Sequence, residues 1–184
     1  MSKEDGYKIR NKEGIHFITF AIVGWVDVFS RKEYVDILLN SIQYCQQQKG
    51  LIVHAWCVMT NHVHLVVSAK QNNTSDILRD FKKFTSKHII QAITNNPQES
   101  RKEWMLNIFR ENGESNSRNS EFQFWQQNNQ PKELFSNEFT MQKLDYIHSN
   151  PVTAGIVEYP EHYLYSSAKD YRGEAGLIAV ELLD

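Results

Sequence analysis

Residues 51–67, LIVHAWCVMTNHVHLVV, contain two apolar, β-prone segments that flank a short bend at residues 59–61. This pattern predicts a β-hairpin. Successive side chains of a strand point to opposite faces of its sheet, so His62 and His64 project from the same face. Two neutral imidazoles on one rigid face form part of a metal site, whereas a histidine pair on a strand also occurs as a half-buried polar contact. The spacing alone leaves both interpretations open.

The segment before the hairpin predicts a strand followed by a helix. Residues 15–29 are rich in aromatic and β-branched side chains, which favours a first strand with a looser extension. Ser30 and Glu33 match a capping box that precedes apolar residues at helical spacing. Gly50 is expected to end this helix, directly before the hairpin.

The segment after the hairpin predicts further helices and a fourth strand. Polar caps and helical spacing indicate a helix over residues 74–95, and the apolar island at residues 104–110 indicates a shorter one. Residues 121–126 alternate between polar and aromatic side chains, as a strand does. A last helix is expected to follow Asn137 and to stop before Pro151, because proline disfavours helix at the preceding residue.

The order strand, helix, strand, strand, helix is typical of an α+β fold of the ferredoxin-like or RRM-like kind. In such a sandwich a central antiparallel β-sheet is backed by helices, which we expect to cover one face. We expect residues 1–150 to form this domain. Residues 151–184 are expected to form an aromatic-rich C-terminal extension that packs on the same domain.

The composition is that of an ordinary globular protein, since 41% of the 184 residues are hydrophobic and 23% are charged. A formal net charge of -2 disfavours a protein that coats duplex DNA without specificity, so a nucleic-acid contact requires a local patch. No apolar run is long enough to span a membrane, and the N-terminal residues lack a signal-peptide core, which predicts a cytoplasmic protein. Cys45 and Cys57 have neither a disulfide framework nor a metal-binding spacing.

The predicted helix over residues 74–95 carries a stripe of cations on one side and apolar residues largely on the other. The cations are Arg79, Lys82, Lys83 and Lys87. Such a stripe fits phosphate binding, and it also fits an ordinary solvated helix face, so the two interpretations stand side by side.

Five motifs along most of the chain resemble a known family. They are His16-Phe17, AWCVMTNHVHLVV at residues 55–67, DFKKFTS at 80–86, FWQ at 124–126 and YIHSNPVTAGIVEYPEHYLYSSAKDY at 146–171. With them the chain resembles the HUH single-strand DNA endonucleases, and among these the REP-associated tyrosine transposases. The histidine triplet alone is weakly specific, but its combination with the tail motif is highly specific.

The resemblance implies a transposase that binds single-stranded DNA folded into a hairpin and cleaves and joins strands in DNA transposition. It implies a divalent metal, Mg²⁺ or Mn²⁺, held by His62 and His64, and a tyrosine that attacks phosphorus to leave a 5′-phosphotyrosine. A third ligand is expected one helical turn beyond that tyrosine, which by counting from Trp125 is Glu133. Family members often pair through their sheets, so a homodimer is expected.

The chain departs from the family at the nucleophile, because the expected tyrosine position is Asn129. None of the eight tyrosines lies between Tyr44 and Tyr146. Three explanations remain: another tyrosine serves, a metal-activated water replaces the phenol, or the protein is a catalytically silent DNA-hairpin-binding descendant. The candidate tyrosines are Tyr146, then Tyr159, Tyr163, Tyr165 and Tyr171. Tyr146 also matches a second tyrosine that the family carries beside the catalytic one, which favours a structural role for it. An unrelated ferredoxin-like metal-binding domain is the more distant alternative.

Overall fold

The computed structural model describes residue 9 and residues 11–115, 121–127 and 130–183. Within them four antiparallel strands form one sheet in the order β2-β3-β1-β4. The strands are β1 (His16–Ala21), β2 (Leu51–Val58), β3 (His62–Ala69) and β4 (Lys132–Glu133). This order is that of a split βαβ, ferredoxin-like sheet, so the predicted fold class and the predicted hairpin are confirmed.

Three helices pack on one face of the sheet. They are α1 (Lys32–Lys49), α2 (Thr74–Asn95) and α3 (Lys102–Glu114). Apolar side chains at helical spacing, among them Leu38 and Ile42 of α1 and Phe81 and Ile89 of α2, are buried against Ile18, Phe20 and Leu65 of the sheet. Gly50 ends α1 with φ 72°, as the sequence predicted.

The fourth helix, α4 (Asn137–Thr153), lies on the opposite face of the sheet. There Leu144 and Ile147 are buried with Phe17, Cys57 and Val66. The expectation that helices cover only one face was therefore wrong. Both faces of β3 carry apolar side chains, and the face that includes Val66 needs a cover of its own.

The C-terminal segment covers the outer edge of β2. The amides of Val58 and Ser167 donate to the carbonyls of Tyr165 and Trp56, respectively, at 2.8 and 2.9 Å. The Glu181 amide donates to the Val53 carbonyl at 2.9 Å. These bonds satisfy backbone groups that an exposed edge strand would otherwise present to another chain. Helix α4 itself continues to Thr153, across the boundary predicted at residue 150.

Three local predictions were wrong. The Ser30 hydroxyl donates to the Asp27 carbonyl, and α1 begins at Lys32 without a side-chain cap. Residues 121–126 contain only an isolated bridge from Trp125 to Ile22, because their backbone crosses the end of β1. Pro151 lies inside the last turn of α4, where it cannot donate to the carbonyl four residues earlier, but the helix continues to Thr153 and does not stop before the proline.

The first strand has the looser extension that the sequence predicted, since β1 ends at Ala21 and 3₁₀ turns follow at Val23–Trp25 and Val28–Ser30. None of the described helices combines the length and apolar character needed to cross a membrane.

Candidate active site

The two histidines of β3 lie side by side on the face of the sheet that α4 covers. Their ring centroids are 4.7 Å apart and their ring planes meet at 75°. His64 is paired across the sheet with Thr19 of β1, and His62 is paired with Ala21. The predicted projection of both imidazoles from one face follows directly from this register.

Both ring nitrogens of His64 have partners. Nδ1 lies 2.8 Å from the Thr19 hydroxyl, and Nε2 lies 3.1 Å from the side-chain amide nitrogen of Asn150. Burial, with smaller effects from the charges of His62 and Lys143, lowers the pKa of His64 to about 3. The imidazole is therefore neutral at physiological pH, which is the protonation state that a metal ligand requires.

His62 lies closer to solvent than His64. Its Nδ1 is 2.6 Å from the Asn61 side-chain oxygen, so the ring donates to that oxygen and leaves the Nε2 lone pair available. Burial lowers the pKa of His62. The indole ring of Trp25 stands edge-on to His62, with 6.2 Å between the centroids.

Helix α4 brings Tyr146 and Asn150 to the histidine pair from consecutive helical turns. Ser136 begins the helix as its N-cap, with its hydroxyl accepting from the Phe139 amide. Residues four apart lie on the same side of a helix, so the Tyr146 ring and the Asn150 amide both meet His64. The Tyr146 and His64 ring centroids are 5.2 Å apart, and the Tyr146 side chain is 49% exposed.

Two cations stand on the same face. Lys143 Nζ lies 5.3 Å from the centroid of Phe17 and 5.5 Å from that of Tyr146. Lys132 is paired with Phe17 in the β1–β4 ladder, so its side chain shares that face. Burial, together with the charge of Lys132, lowers the pKa of Lys143. Sequence reasoning missed both lysines, because neither belongs to a local cluster of cations.

Glu133 does not join the histidines. It is paired with His16, so its side chain lies on the opposite face of the sheet, where it accepts from the Asn11 amide at 2.6 Å. On β1, His16 is three residues from Thr19, which is the partner of His64. At roughly 3.4 Å per residue, Glu133 is therefore displaced from His64 by about 10 Å along the strand direction. In this register Glu133 and the histidine pair lie on opposite faces of the sheet, and the ligand role of Glu133 stays a prediction. Asn129, from which the position was counted, lies outside the described residues.

The structure separates the four cations predicted to bind DNA. Arg79 makes ion pairs with Asp76 and Asp80 at 2.6 and 3.2 Å. Lys82 turns aside, with Nζ 3.4 Å from the Gln126 carbonyl, and burial lowers its pKa to about 8. Of these four cations, Lys83 and Lys87 are exposed and form no ion pair with a described residue.

Lys83 and Lys87 line a groove of about 1000 Å³ between α1 and α2. Tyr44, Phe84 and His88 contribute aromatic rings to the same groove. Because α2 packs on the other face of the sheet, this groove and the histidine pair lie on opposite sides of the molecule.

Among the C-terminal tyrosines, two use their hydroxyl groups to hold the fold. The Tyr163 hydroxyl donates to the Val58 carbonyl at 2.7 Å, and burial raises its pKa. The Tyr171 hydroxyl donates to the His54 carbonyl at 3.0 Å. Of the tyrosines considered from the sequence, Tyr146 is the one with a ring contact to the histidine pair among the described residues.

The donor set suits a divalent ion. No group of three or more His, Cys, Asp or Glu side chains converges among the described residues. The side-chain amide of Asn150 is in position to act as a further ligand, since a half-turn of it would place Oδ1 where Nδ2 now lies, beside His64 Nε2. Two imidazole nitrogens and one amide oxygen are accepted ligands of Mn²⁺ and leave positions for phosphate oxygens.

Comparisons with known proteins show the family of the chain. The family model of the IS200-like transposases matches residues 16–111, just over half of the 184-residue chain. No curated protein sequence shows significant similarity to the chain.

Two solved structures are similar. A REP-associated tyrosine transposase bound to a REP hairpin superposes with a TM-score of 0.64 at 18% identity, covering 100% of this chain and 94% of that one. A chain from Deinococcus radiodurans R1 that is assigned as a transposase gives a TM-score of 0.44 at 18% identity, covering 82% of this chain and 97% of that one. The first similarity is of fold, and the second is too low to define one.

The chain belongs to the IS200-like transposase family. The family resemblance inferred from the motifs is thereby confirmed, and the class of function is that of a transposase-like protein acting on DNA.

Proposed function

We propose that this chain is a metal-dependent transposase that cleaves and rejoins single-stranded DNA folded into a hairpin, with Tyr146 as its nucleophile. The observation that carries the proposal is the position of α4, which holds Tyr146 5.2 Å from His64 between ring centroids and the Asn150 amide 3.1 Å from His64 Nε2. Tyrosine and a polar residue one turn later are the pair that the family resemblance requires. On α4 such a pair is Tyr146 and Asn150, and we infer that it takes the role of the expected tyrosine position, which is Asn129 in this chain.

In this proposal His62, His64 and Asn150 hold the divalent ion. When bound, that ion polarises the scissile phosphodiester and offsets the charge that develops on it. Thr19 and Asn61 accept from the Nδ1–H groups of His64 and His62, respectively, and so keep both Nε2 lone pairs directed to the site. The low pKa of His64 keeps that ring neutral throughout the physiological range.

Tyr146 acts by direct attack. Its phenolic oxygen forms a bond to phosphorus, the bond from phosphorus to the 3′ oxygen breaks, and the phenolic proton is transferred to the departing 3′ oxygen. The products are a 5′-phosphotyrosine and a free 3′-hydroxyl, and the reverse reaction with another DNA end joins strands. The half-exposed position of Tyr146 leaves its ring accessible to a strand from solvent.

Lys132 and Lys143 are proposed to bind the phosphates on either side of the scissile bond. They lie on the histidine face, and an anion bound between them would offset their mutual repulsion, which together with burial lowers the pKa of Lys143. The REP-associated transposase with the same fold was solved with a REP hairpin, which supports hairpin DNA as the substrate class. Lys83 and Lys87 then form a second proposed contact surface, for duplex that extends past the sheet.

A gel assay tests the proposal. Hairpin oligonucleotides labelled at the 5′ or the 3′ end are incubated with the protein and Mn²⁺ and run under denaturing conditions. We expect a covalent protein–DNA band that carries only the 3′ label and is lost in Tyr146→Phe. Tyr159→Phe is the matched control, because Tyr159 is 50% exposed and contacts only His162 among rings of the described residues. A covalent band that survives Tyr146→Phe would overturn the assignment of the nucleophile.

The silent hairpin-binding descendant is the second candidate, and it is favoured by Asn129 at the expected tyrosine position. The same gel separates the candidates. Cleavage without a covalent band indicates attack by water, whereas binding in a mobility-shift assay without cleavage indicates the silent descendant.

A further inference from the structure

Trp25 is an exposed aromatic residue held in an unfavourable backbone conformation beside the histidine pair. It ends the 3₁₀ turn that follows β1, and its φ of 54° lies in the left-handed region that bulky residues rarely adopt. Its side chain is 59% exposed. Strained backbone that directs an apolar ring into solvent next to a candidate active site indicates a functional constraint.

The turn is fixed by its neighbours, so the direction of the indole is set by the backbone. Val23 and Val26 on either side are buried, and Gly24 supplies a second positive φ of 63°. The Trp25 carbonyl accepts from the Asn61 side-chain amide at 3.4 Å. Asn61 also accepts from His62, so one side chain connects the turn to the histidine pair.

Trp25 and Tyr146 flank the histidine pair. The centroid of the Trp25 ring lies 6.2 Å from that of His62, and the ring planes meet at 82°. His62 and His64 follow at 4.7 Å, and His64 and Tyr146 at 5.2 Å. A DNA strand whose phosphodiester lies at the histidines and faces Tyr146 therefore brings the next nucleotide to Trp25.

We propose that Trp25 stacks on an unpaired nucleobase adjacent to the phosphodiester at the histidine pair. This inference rests on the proposed function and adds a base-binding position to it. Every base has an aromatic face, so a stacking contact distinguishes an unpaired base from a bare sugar without reading sequence. The phosphates are left to Lys132 and Lys143, and the base is held by the indole.

Binding to two DNA probes tests the inference without cleavage. One probe is a hairpin with an unpaired oligo-thymidine extension, and the other is the same hairpin with an extension of abasic sugars. Affinities are measured by fluorescence anisotropy in the Tyr146→Phe background. We expect the thymidine probe to bind roughly tenfold more tightly. Trp25→Ala should abolish this preference and Trp25→Phe should keep it.

Trp104→Ala is the matched control, since Trp104 is 50% exposed but lies on α3, on the far side of the sheet. An unchanged preference for the thymidine probe in Trp25→Ala would overturn the stacking contact while leaving Tyr146 and the adduct assay untouched. If neither probe binds the Tyr146→Phe protein, hairpin binding fails and the stacking proposal fails with it.

A second measurement does not require Trp25→Ala to fold. Trp56 and Trp125 are buried. In the Trp104→Phe variant, Trp25 is therefore the tryptophan among the described residues whose indole is exposed to solvent. Oligo-thymidine should then protect its fluorescence from acrylamide quenching. Quenching that is unaffected at saturating oligo-thymidine would overturn the proposal.

Discussion

The side-chain amide of Asn150 lies 3.1 Å from Nε2 of His64, so the last turn of α4 reaches the nitrogen that a metal ion would use. Four residues earlier on the same helix, the Tyr146 ring stands 5.2 Å from the same imidazole. One helix thus places a side-chain amide and a phenol at one histidine. The position of α4 on the sheet therefore determines the geometry of the whole candidate site.

Substitution of Asn150 should change the affinity for Mn²⁺ in both directions. Asn150→Ala removes the third ligand and should weaken Mn²⁺ binding, by about tenfold or more, because few protein donors remain. Asn150→Asp replaces a neutral oxygen by a charged one and should strengthen it. Isothermal titration of Mn²⁺ measures both, with the exposed neighbour Ser149→Ala as control. Equal affinities for all three variants and the wild type would remove Asn150 from the site.

Local sequence patterns predicted the strands and helices whose formation depends mainly on residues close in sequence. The alternation around His62 and His64 predicted β3 and the shared face, and the apolar spacing of residues 74–95 predicted α2 over the observed range, although no side chain caps its first turn. The i, i+4 spacing of Tyr146 and Asn150 was also visible in the sequence. The contact of both residues with His64 could not be predicted, because tertiary contacts decide on which face of the sheet α4 packs.

The positions of Glu133 and Trp25 could not be predicted because they depend on long-range structure. Strand β4 contains two residues, Lys132 and Glu133, and exists only through its pairing with β1. No periodicity can be detected over two residues, so Glu133 was counted from Trp125 as a helical position and not recognised as part of a strand. Trp25 was likewise assigned to the first strand and its looser extension, because an apolar run does not reveal where a strand bends into a turn.

Lys82 and Lys83 are adjacent in sequence and should respond differently to substitution. Lys83 is exposed in the groove between α1 and α2, so Lys83→Ala should reduce the slope of log binding constant against log salt by about one. Lys82 donates to the Gln126 carbonyl and packs over the Phe20 ring, so Lys82→Ala should lower stability and leave the slope unchanged. Salt titrations of hairpin binding and urea unfolding separate the two effects. A slope reduced by Lys82→Ala instead would reverse the assignment.

Ser167 should be important for stability, because its hydroxyl connects three elements. It accepts from the buried Trp56 amide of β2 at 2.9 Å and lies 2.9 Å from Nε2 of His148 on α4. Ser167→Ala leaves these buried groups without their partner and should lower the free energy of unfolding by about 1–3 kcal/mol. Urea unfolding measures the loss, and the exposed Ser149→Ala is expected to change it by less than about 0.5 kcal/mol. Equal values for the two variants would show that the contact is dispensable.

His54 should make stability depend on pH through the docking of the C-terminal segment. The imidazole is buried, with Nδ1 2.8 Å from the Glu181 carbonyl and Nε2 2.9 Å from the Ser68 hydroxyl. Burial lowers the pKa of His54 in the folded protein, so above the unfolded value of about 6.5 its contribution is fully present. Below that value the unfolded chain binds a proton that the folded chain does not. The free energy of unfolding therefore decreases as the pH is lowered, until the lowered pKa of the folded protein is reached.

The pH dependence of His54→Gln tests this linkage. Below about pH 6.5 the wild type should lose up to about 1.4 kcal/mol of unfolding free energy per pH unit more than His54→Gln, since one titrating proton has been removed. Ser68→Ala is the matched control: it removes the hydroxyl partner of Nε2 but keeps the titrating ring, so it should lower stability while retaining the pH dependence. Parallel profiles for the wild type and His54→Gln between pH 7.5 and 5 would show that His54 is not the group responsible.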